Sequence, residues 1–293
     1  MKIHVALGKL LQDVSDRTIQ SSNWYYEIKI DGIRALVFSD GSVYTRYGNP
    51  LYLNIEPTVY RQIPKGMVLD CEACATDVWT TMALKSETKA KTVQRIVRIY
   101  AFDLVPETTI RNGTTYNTPY LERKDDLKRV ITKLTSKDRR FIYVSHIKAK
   151  ENNRKYFMKI AKMFYDKGFE GAMFKKEGHM YVPSRTSNWI KAKVFSDIDV
   201  KVIDVVVVSN KAKAFVCEYK RNRFMAGSGL TEHQRIFIAH HKDWFIDKTL
   251  NIKSMQYTDR GVPRVPIVVG FYYNEFTKEQ AEELIELKLI KVV

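Results

Sequence analysis

In the segment Lys29-Ile30-Asp31-Gly32-Ile33-Arg34 an amine, a carboxylate, a glycine and a guanidinium stand within one turn of chain. A lysine amine becomes a nucleophile only after losing its proton, so its reference pKa of about 10.4 must be pulled down by burial or by positive neighbours. Arg34 or a bound metal ion would supply that charge. Asp31 would help hold metal or substrate, and Gly32 would let the backbone turn tightly or a ligand come close. Taken alone, K-x-D-G-x-R fits a hairpin with a surface Asp-Gly turn as well as it fits an active site.

Further charged groups follow in order on strand-like runs. Glu72 lies in Val68-Leu69-Asp70-Cys71-Glu72-Ala73, and Phe102 in Ile99-Tyr100-Ala101-Phe102-Asp103-Leu104-Val105. Glu170 opens the apolar run Gly171-Ala172-Met173-Phe174. In Trp189-Ile190-Lys191-Ala192-Lys193-Val194-Phe195, alternation puts both lysines on one strand face and Ile190 with Ala192 on the other. Each feature has a plain structural explanation: acids in apolar strands pair with buried cations, Phe102 fits a core, and strand lysines fit a solvated face. Together, one nucleophilic lysine, two strand-borne glutamates and a lysine pair suit a nucleotide with its metal.

From about Glu27 to about Pro266 these segments resemble the ATP-dependent DNA ligases of the covalent nucleotidyltransferase superfamily, the small viral and bacteriophage type in particular. The resemblance implies ATP and Mg2+ (or Mn2+) as cofactors, nicked duplex DNA as partner, and roles in DNA repair, replication and recombination. It makes Lys29 the residue that takes AMP, Glu27 the acid that reads adenine, Arg34 a contact on the ribose side and Phe102 the ring that stacks on the base. It gives Lys191 and Lys193 to the nucleotide phosphates, and Glu72, Glu170 and Asp31 to the metal, with Glu72 also touching the nucleotide. Thr45-Arg46-Tyr47-Gly48 is similar to the family's S/T-R-x-G segment, which makes Arg46 a phosphate contact at the nick. Tyr181-Val182-Pro183-Ser184-Arg185 is similar to Y-x-x-G-R and adds Arg185 to the DNA-binding set. Cys71 stands where the family's D-G-E segment has glycine, and Ser184 where glycine is common.

Two later segments extend the resemblance. Gly227-Ser228-Gly229-Leu230-Thr231 is similar to G-S-G-L/F-T/S, and Gly261-Val262-Pro263-Arg264-Val265-Pro266 to G-x-x-R-x-P. Both argue against the RNA ligases and GTP-dependent capping enzymes that share the lysine motif; a non-catalytic nucleic-acid binder is favoured only if the arginine missing near Tyr272 is essential. The family's closing R-x-D-K-like segment is missing: Val269-Gly270-Phe271-Tyr272-Tyr273-Asn274-Glu275 holds no arginine, so either Lys278 or Arg264 orients the pyrophosphate or the first step is slow.

Lys and Arg number 49 against 33 Asp and Glu, a net +16 over 293 residues. A polyanionic partner follows naturally, although charge alone suits an anionic membrane or simple solubility equally well. No apolar run approaches the roughly 18 residues of a membrane span, and the start lacks a secretory leader, so a cytoplasmic monomer is expected, in the host cell if the source is viral. Cys71, Cys74 and Cys217 offer no zinc spacing and read as reduced thiols.

The elements that must position these groups give an α+β reading. Residues 1–195 form a nucleotidyltransferase domain of antiparallel sheets flanked by helices, and residues 196–293 an OB-fold β-barrel of five strands. Helical spacing covers Tyr120 to Leu134, with Leu127, Val130, Ile131 and Leu134 inward and Arg123, Lys124 and Lys128 on a solvated face. A second helix runs from Asn153 to a stop at Gly168. Thr231 caps a third, to about His241. Lys211, Lys213, Lys220, Arg221 and Arg223 lie on or between the barrel's first strands, where they meet a DNA backbone or form a solvated loop.

Overall fold

A computed structural model describes residues 2–255, 257–258 and 261–291. Asp259 and Arg260, which precede the G-x-x-R-x-P-like segment, lie outside them. The chain divides into two compact units, Met1–Val194 and Phe195–Val293.

The first unit is built on two five-stranded sheets. One holds, in spatial order, β1 (Leu7–Leu10), β10 (Arg185–Lys193), β9 (Gly171–Lys176), β2 (Trp24–Lys29) and β8 (Ile147–Lys148). The other holds β4 (Val43–Tyr44), β3 (Ile33–Phe38), β5 (Met67–Cys74), β6 (Arg98–Pro106) and β7 (Phe141–Tyr143). Pairing is predominantly antiparallel, as expected, with two parallel exceptions, β1 with β10 and β6 with β7.

Alternation sorts the first sheet's faces. Trp24, Tyr26, Ala172, Phe174, Ile190 and Ala192 pack with Phe157, Ile160 and Ala161 of the helix Arg154–Tyr165. The opposite face is left for Glu27, Lys29, Lys191 and Lys193. Asn153 caps that helix, accepting from the Tyr156 amide at 2.8 Å, and Gly168 ends it with φ of 88°.

The helix Tyr120–Thr135 covers the second sheet, burying Leu127, Val130, Ile131 and Leu134 against Ile99, Ala101 and Phe141. Each such side chain contributes about 1.5–3 kcal/mol on leaving water. Lys128 is exposed as expected, but Arg123 and Lys124 are 1% and 0% exposed, contrary to the solvated face read from their charge. They continue the inward stripe one turn back from Leu127, and buried carboxylates meet them there. All three cysteines are free thiols. Cys71 fits a fully buried site because its ladder partners, Ala35 and Ala101, are small.

The second unit has one five-stranded sheet in the order β13 (Asn222–Ala226), β12 (Lys211–Tyr219), β11 (Ser196–Val208), β14 (Thr249–Ser254) and β15 (Ile267–Phe271), all antiparallel. Among the described residues no ladder closes β13 onto β15. One isolated parallel bridge, Ser228 with Ile267, links the chain after β13 to the far edge. Thr231 opens the helix Glu232–His240 with a full capping box. Arg235 fastens that helix, donating to the carbonyls of Ala212 and Lys213 at 2.8 Å and of Gly227 at 2.5 Å. No described helix is long and apolar enough to cross a membrane.

Candidate active site

A cleft of about 630 Å³ opens in the first unit, its walls drawn from both sheets, a size suited to a small ligand. One wall is written in the register of β2, β9 and β10. Lys29 and Lys193 both pair with Gly171, and Glu27 and Lys191 both pair with Met173. Each row therefore carries one group from β2 and one from β10 across the central strand.

Gly171 is what lets the first row close. Its φ is 141°, and a Cβ there would lie 2.2 Å from the Ala192 carbonyl oxygen. With no side chain between them, Lys29 and Lys193 both reach the carboxylate of Glu170, which is 5% exposed. The Glu170 amide donates to the Lys29 carbonyl at 2.9 Å, anchoring the acid beside the end of β2. Burial would push the Glu170 carboxyl up, but the two ammonium groups hold it below the ordinary carboxylate range. Lys191, one row along, is pushed down to about 8 by burial and then by Arg185, Lys193 and Lys29.

The facing wall comes from β3, β5 and β6. Arg34 donates to both oxygens of the fully buried Asp70, at 2.7 and 2.5 Å, and to the Ala6 carbonyl at 2.7 Å. Tyr181 donates to the same carboxylate at 2.6 Å. Glu72, beside Arg34 in the ladder, has its carboxyl pushed up to about 7, chiefly by burial, with Lys29 and Arg34 opposing and Glu170 and Asp70 adding to the rise. Gly32 brings the turn against β5: a Cβ there would sit 2.4 Å from the Ala73 carbonyl oxygen.

Phe102 reaches the cleft through a β-bulge. Asp70 pairs with Asp103 and Cys71 with Ala101, so Phe102 is the extra residue of β6, released from strict alternation. Its ring lines the cleft, with the Arg34 guanidinium 5.4 Å and the Lys175 ammonium 5.0 Å from its centre.

At the Phe102 end, Glu27 is 2% exposed and held by three donors. Its Oε1 accepts from Tyr120 Oη at 2.7 Å and meets Lys124 Nζ at 2.8 Å, and its Oε2 meets Lys175 Nζ at 2.8 Å. Burial pushes this carboxyl up, and Lys124 and Lys175 overcome it, leaving it below the usual range. Arg123 grips Asp103 with two bonds, at 2.8 and 3.1 Å. His179, pushed down to about 4 mainly by burial, is neutral at pH 7: Nδ1 donates to the Lys176 carbonyl while Nε2 accepts from the Trp189 indole, each at 2.5 Å.

A family profile described as "ATP dependent DNA ligase domain" matches residues 6–193, which is 188 of the 293 residues. The chain belongs to the ATP-dependent DNA ligase family. Among solved structures, one of the Lig E DNA ligases is similar at 20% identity over 92% of this chain and 99% of the other, with a TM-score of 0.71. The ATP-dependent DNA ligase of bacteriophage T7, complexed with ATP, is 15% identical over 92% and 98%, TM-score 0.57. The Chlorella virus DNA ligase-adenylate is 20% identical over 92% and 99%, TM-score 0.50. No curated protein sequence matches the chain.

In this ligase-family cleft, Glu27, Lys29, Arg34, Arg46, Glu72, Phe102, Lys191 and Lys193 all line the wall, and Glu170 is bound to two of them. Arg46 stands exposed at the rim, its guanidinium 4.6 Å from the centre of the Tyr47 ring. Asp31 is half-buried in the turn after β2 and does not line the cleft. Arg185 is also outside the lining, exposed and donating to the Gly8 carbonyl at 3.1 Å. Lys211, Lys213 and Arg223 are exposed on the second unit, where Lys211 pairs with Glu232 and Arg223 lies 3.9 Å from Glu218. Lys278 is exposed at the start of the helix Lys278–Glu286. Sequence reasoning missed Lys124, Lys175, Tyr120 and the Asp103–Arg123 pair, although the stripe Tyr120, Arg123, Lys124, Leu127, Ile131, Leu134 was readable as one helix face.

Proposed function

We propose that this protein seals breaks in duplex DNA with ATP, through AMP carried on Lys29. The reading is carried by one arrangement: the Lys29 amine at a strand end, held by Glu170 beside Lys193, with Glu27 and the bulged Phe102 at the other end of the same cleft. Phe102 stacks on adenine, Glu27 faces its amino edge, Arg34 and Glu72 lie on the ribose side, and Lys191 with Lys193 takes the phosphates.

Moving Glu170 off Lys29 frees the amine, which acts as a nucleophile in its neutral form. The neutral amine attacks the α-phosphorus of ATP; the P–N bond forms as the bond to pyrophosphate breaks. An oxygen of the 5′-phosphate at the nick then attacks the AMP phosphorus and releases Lys29. The 3′-hydroxyl attacks the activated 5′-phosphorus, AMP leaves and the strand is whole. Lys191, Lys193 and Arg46 offset charge building on the phosphates. Arg185, Lys211, Lys213 and Arg223 hold the DNA backbone.

Among the described residues there is no cluster of three or more His, Cys, Asp or Glu that would cage a metal. That donor set still fits Mg2+ or Mn2+, because such ions are held by one or two carboxylates with substrate phosphates completing the shell. Glu72 and Glu170, close enough that Glu170 helps to push the Glu72 carboxyl up, are the pair that would hold it, with Asp31 acting at a distance. When bound, such an ion polarises phosphoryl oxygens. We further propose that the second unit is an OB-type barrel closed through the Ser228–Ile267 bridge, supported by the Val268 amide donating to the Ser228 carbonyl at 2.8 Å, and that the enzyme is a cytoplasmic monomer.

Incubation with ATP labelled at the α-phosphorus tests the reading. Label should become covalently attached to the protein and Lys29→Ala should abolish it, while nicked duplex DNA should then be sealed in preference to nicked RNA. Label retained by Lys29→Ala overturns the assignment.

A further inference from the structure

Resting on the ATP reading above, we propose that Lys124 is a specificity-determining positioning residue, which keeps Glu27 an acceptor-only reader of the base and sets its distance from Phe102. A carboxylate offers about four acceptor positions. Here Tyr120 and Lys124 occupy both on Oε1, and Lys175 occupies one on Oε2. One acceptor position remains, on an atom of a residue that lines the cleft. Adenine presents an N–H donor at its six-position, and guanine a carbonyl acceptor. An ionised Glu27 pairs with the first and repels the second; a protonated Glu27 would donate to guanine instead. The buried location favours protonation. Two ammonium groups sharing one carboxylate oppose it.

The same two lysines fix where the acid stands. Lys175 Nζ lies 3.3 Å, and Lys124 Nζ 3.5 Å, from the carbonyl oxygen of Phe102, the bulge residue. Lys124 also donates to the Val144 carbonyl at 2.7 Å, and its ammonium stands 4.5 Å from the centre of the Tyr143 ring. The ammonium groups therefore tie the base-reading carboxylate of β2 to the stacking residue of β6, and so set the spacing between the two sheets at the base. Lys124 itself is 0% exposed and does not line the cleft, so it acts through Glu27 rather than on the ligand.

Equilibrium binding of ATP and GTP in a Lys29→Ala background tests this without the covalent step, so that a failure of label transfer and a failure of this inference are separable. The parent should prefer ATP by about 10- to 100-fold, the cost of leaving one buried acceptor unsatisfied. Added Lys124→Met, close in length but uncharged, should shrink that preference at least tenfold, mostly by weakening ATP. Glu27→Gln, which keeps both lysines and adds a donor, should move the preference the same way. A parent with no preference for ATP, or a folded Lys124→Met or Glu27→Gln with the parent's ATP:GTP ratio, overturns the proposal. Should Lys124→Met fail to fold, Glu27→Gln decides.

Discussion

Gly171→Ala is the sharpest perturbation of the nucleophile end, because the added methyl has nowhere to go. The new Cβ would lie 2.2 Å from the Ala192 carbonyl oxygen and 3.3 Å from the Lys193 Cα, both backbone atoms of β10 that cannot rotate away. Relief needs β9 and β10 to part by about 1 Å, toward ordinary van der Waals separation. The φ of 141° adds backbone strain of about 1–3 kcal/mol for a residue with a side chain. Weakening of the Lys193–Gly171 and Ala192–Ala172 pairings adds about 1 kcal/mol per lost hydrogen bond. The sum is about 3–5 kcal/mol, and a unit of this size loses about 2–4 °C of Tm per kcal/mol. Calorimetry should therefore show Tm lower by about 6–20 °C. Glu170 precedes Gly171 and Lys193 faces it, so the same shift parts the acid from its lysines, and a misplacement of about 1 Å is worth about 100-fold in rate. Gly168→Ala is the control: its φ is 88° but a Cβ there meets nothing within 4 Å, so it should cost about 1–2 kcal/mol and leave label transfer intact. If Gly171→Ala melts and takes label as the parent does, the geometric account of the Lys29–Glu170–Lys193 group is refuted.

Arg34→Met should destabilise by about 3–5 kcal/mol, because it strands the fully buried Asp70, and the denaturant midpoint should fall with the slope unchanged. Glu72 is raised from 4.5 to about 7, so the folded state binds its proton more tightly than the unfolded chain; the stabilisation is complete below pH 4.5 and lost as pH rises through 7. In ligand-free protein Glu72→Gln should accordingly raise the unfolding free energy above pH 7, by no more than about 3 kcal/mol because the half-buried side chain is screened, and the gain should disappear near pH 4.5; a gain that grows on acidification would contradict the sign. Lys191, pushed down to about 8, should lose its charge and its hold on phosphate as pH rises through that value, so ATP affinity measured by titration should fall there, and Lys191→Arg should remove the fall.

How much of this was legible in the sequence depended on how local each signal was. Lys29, Glu72, Glu170 and the Lys191/Lys193 pair sit in contiguous motifs, and period-two alternation alone put Ile190 and Ala192 in the core and both lysines on the cleft face. Phe102 was found only through resemblance, because a register shift between Asp70 and Cys71 depends on pairing across strands and leaves no mark in either strand's own pattern. Arg123 and Lys124 were misread since charge was weighed above spacing. The acids that admit them, Asp103 and Glu27, come from strands far away in sequence. The second unit's strands were readable as apolar runs, but whether they close depends on a single bridge between chain segments about 40 residues apart.

The two ends of the cleft treat charge by opposite rules, and this follows from which acids are spent on structure. At the base end every carboxylate is committed: Glu27 to two lysines and a tyrosine, Asp103 to Arg123, Asp70 to Arg34. Buried pairs with several bonds each are rigid, which on the proposed reading makes this end a fixed template for a flat base. At the nucleophile end Glu170 serves two lysines at once, and Glu72 lies close by with its proton loosely held near pH 7. Glu170 occupies the two ammonium groups that the proposal gives to the nucleotide. On the ATP reading proposed above, a triphosphate entering beside Lys193 would offer it a better counter-charge than Glu170 does, and the displaced carboxylate would become available for a cation as Lys29 is released. On that reading the Lys29 amine is masked in the free protein by the same group, Glu170, whose departure would unmask it.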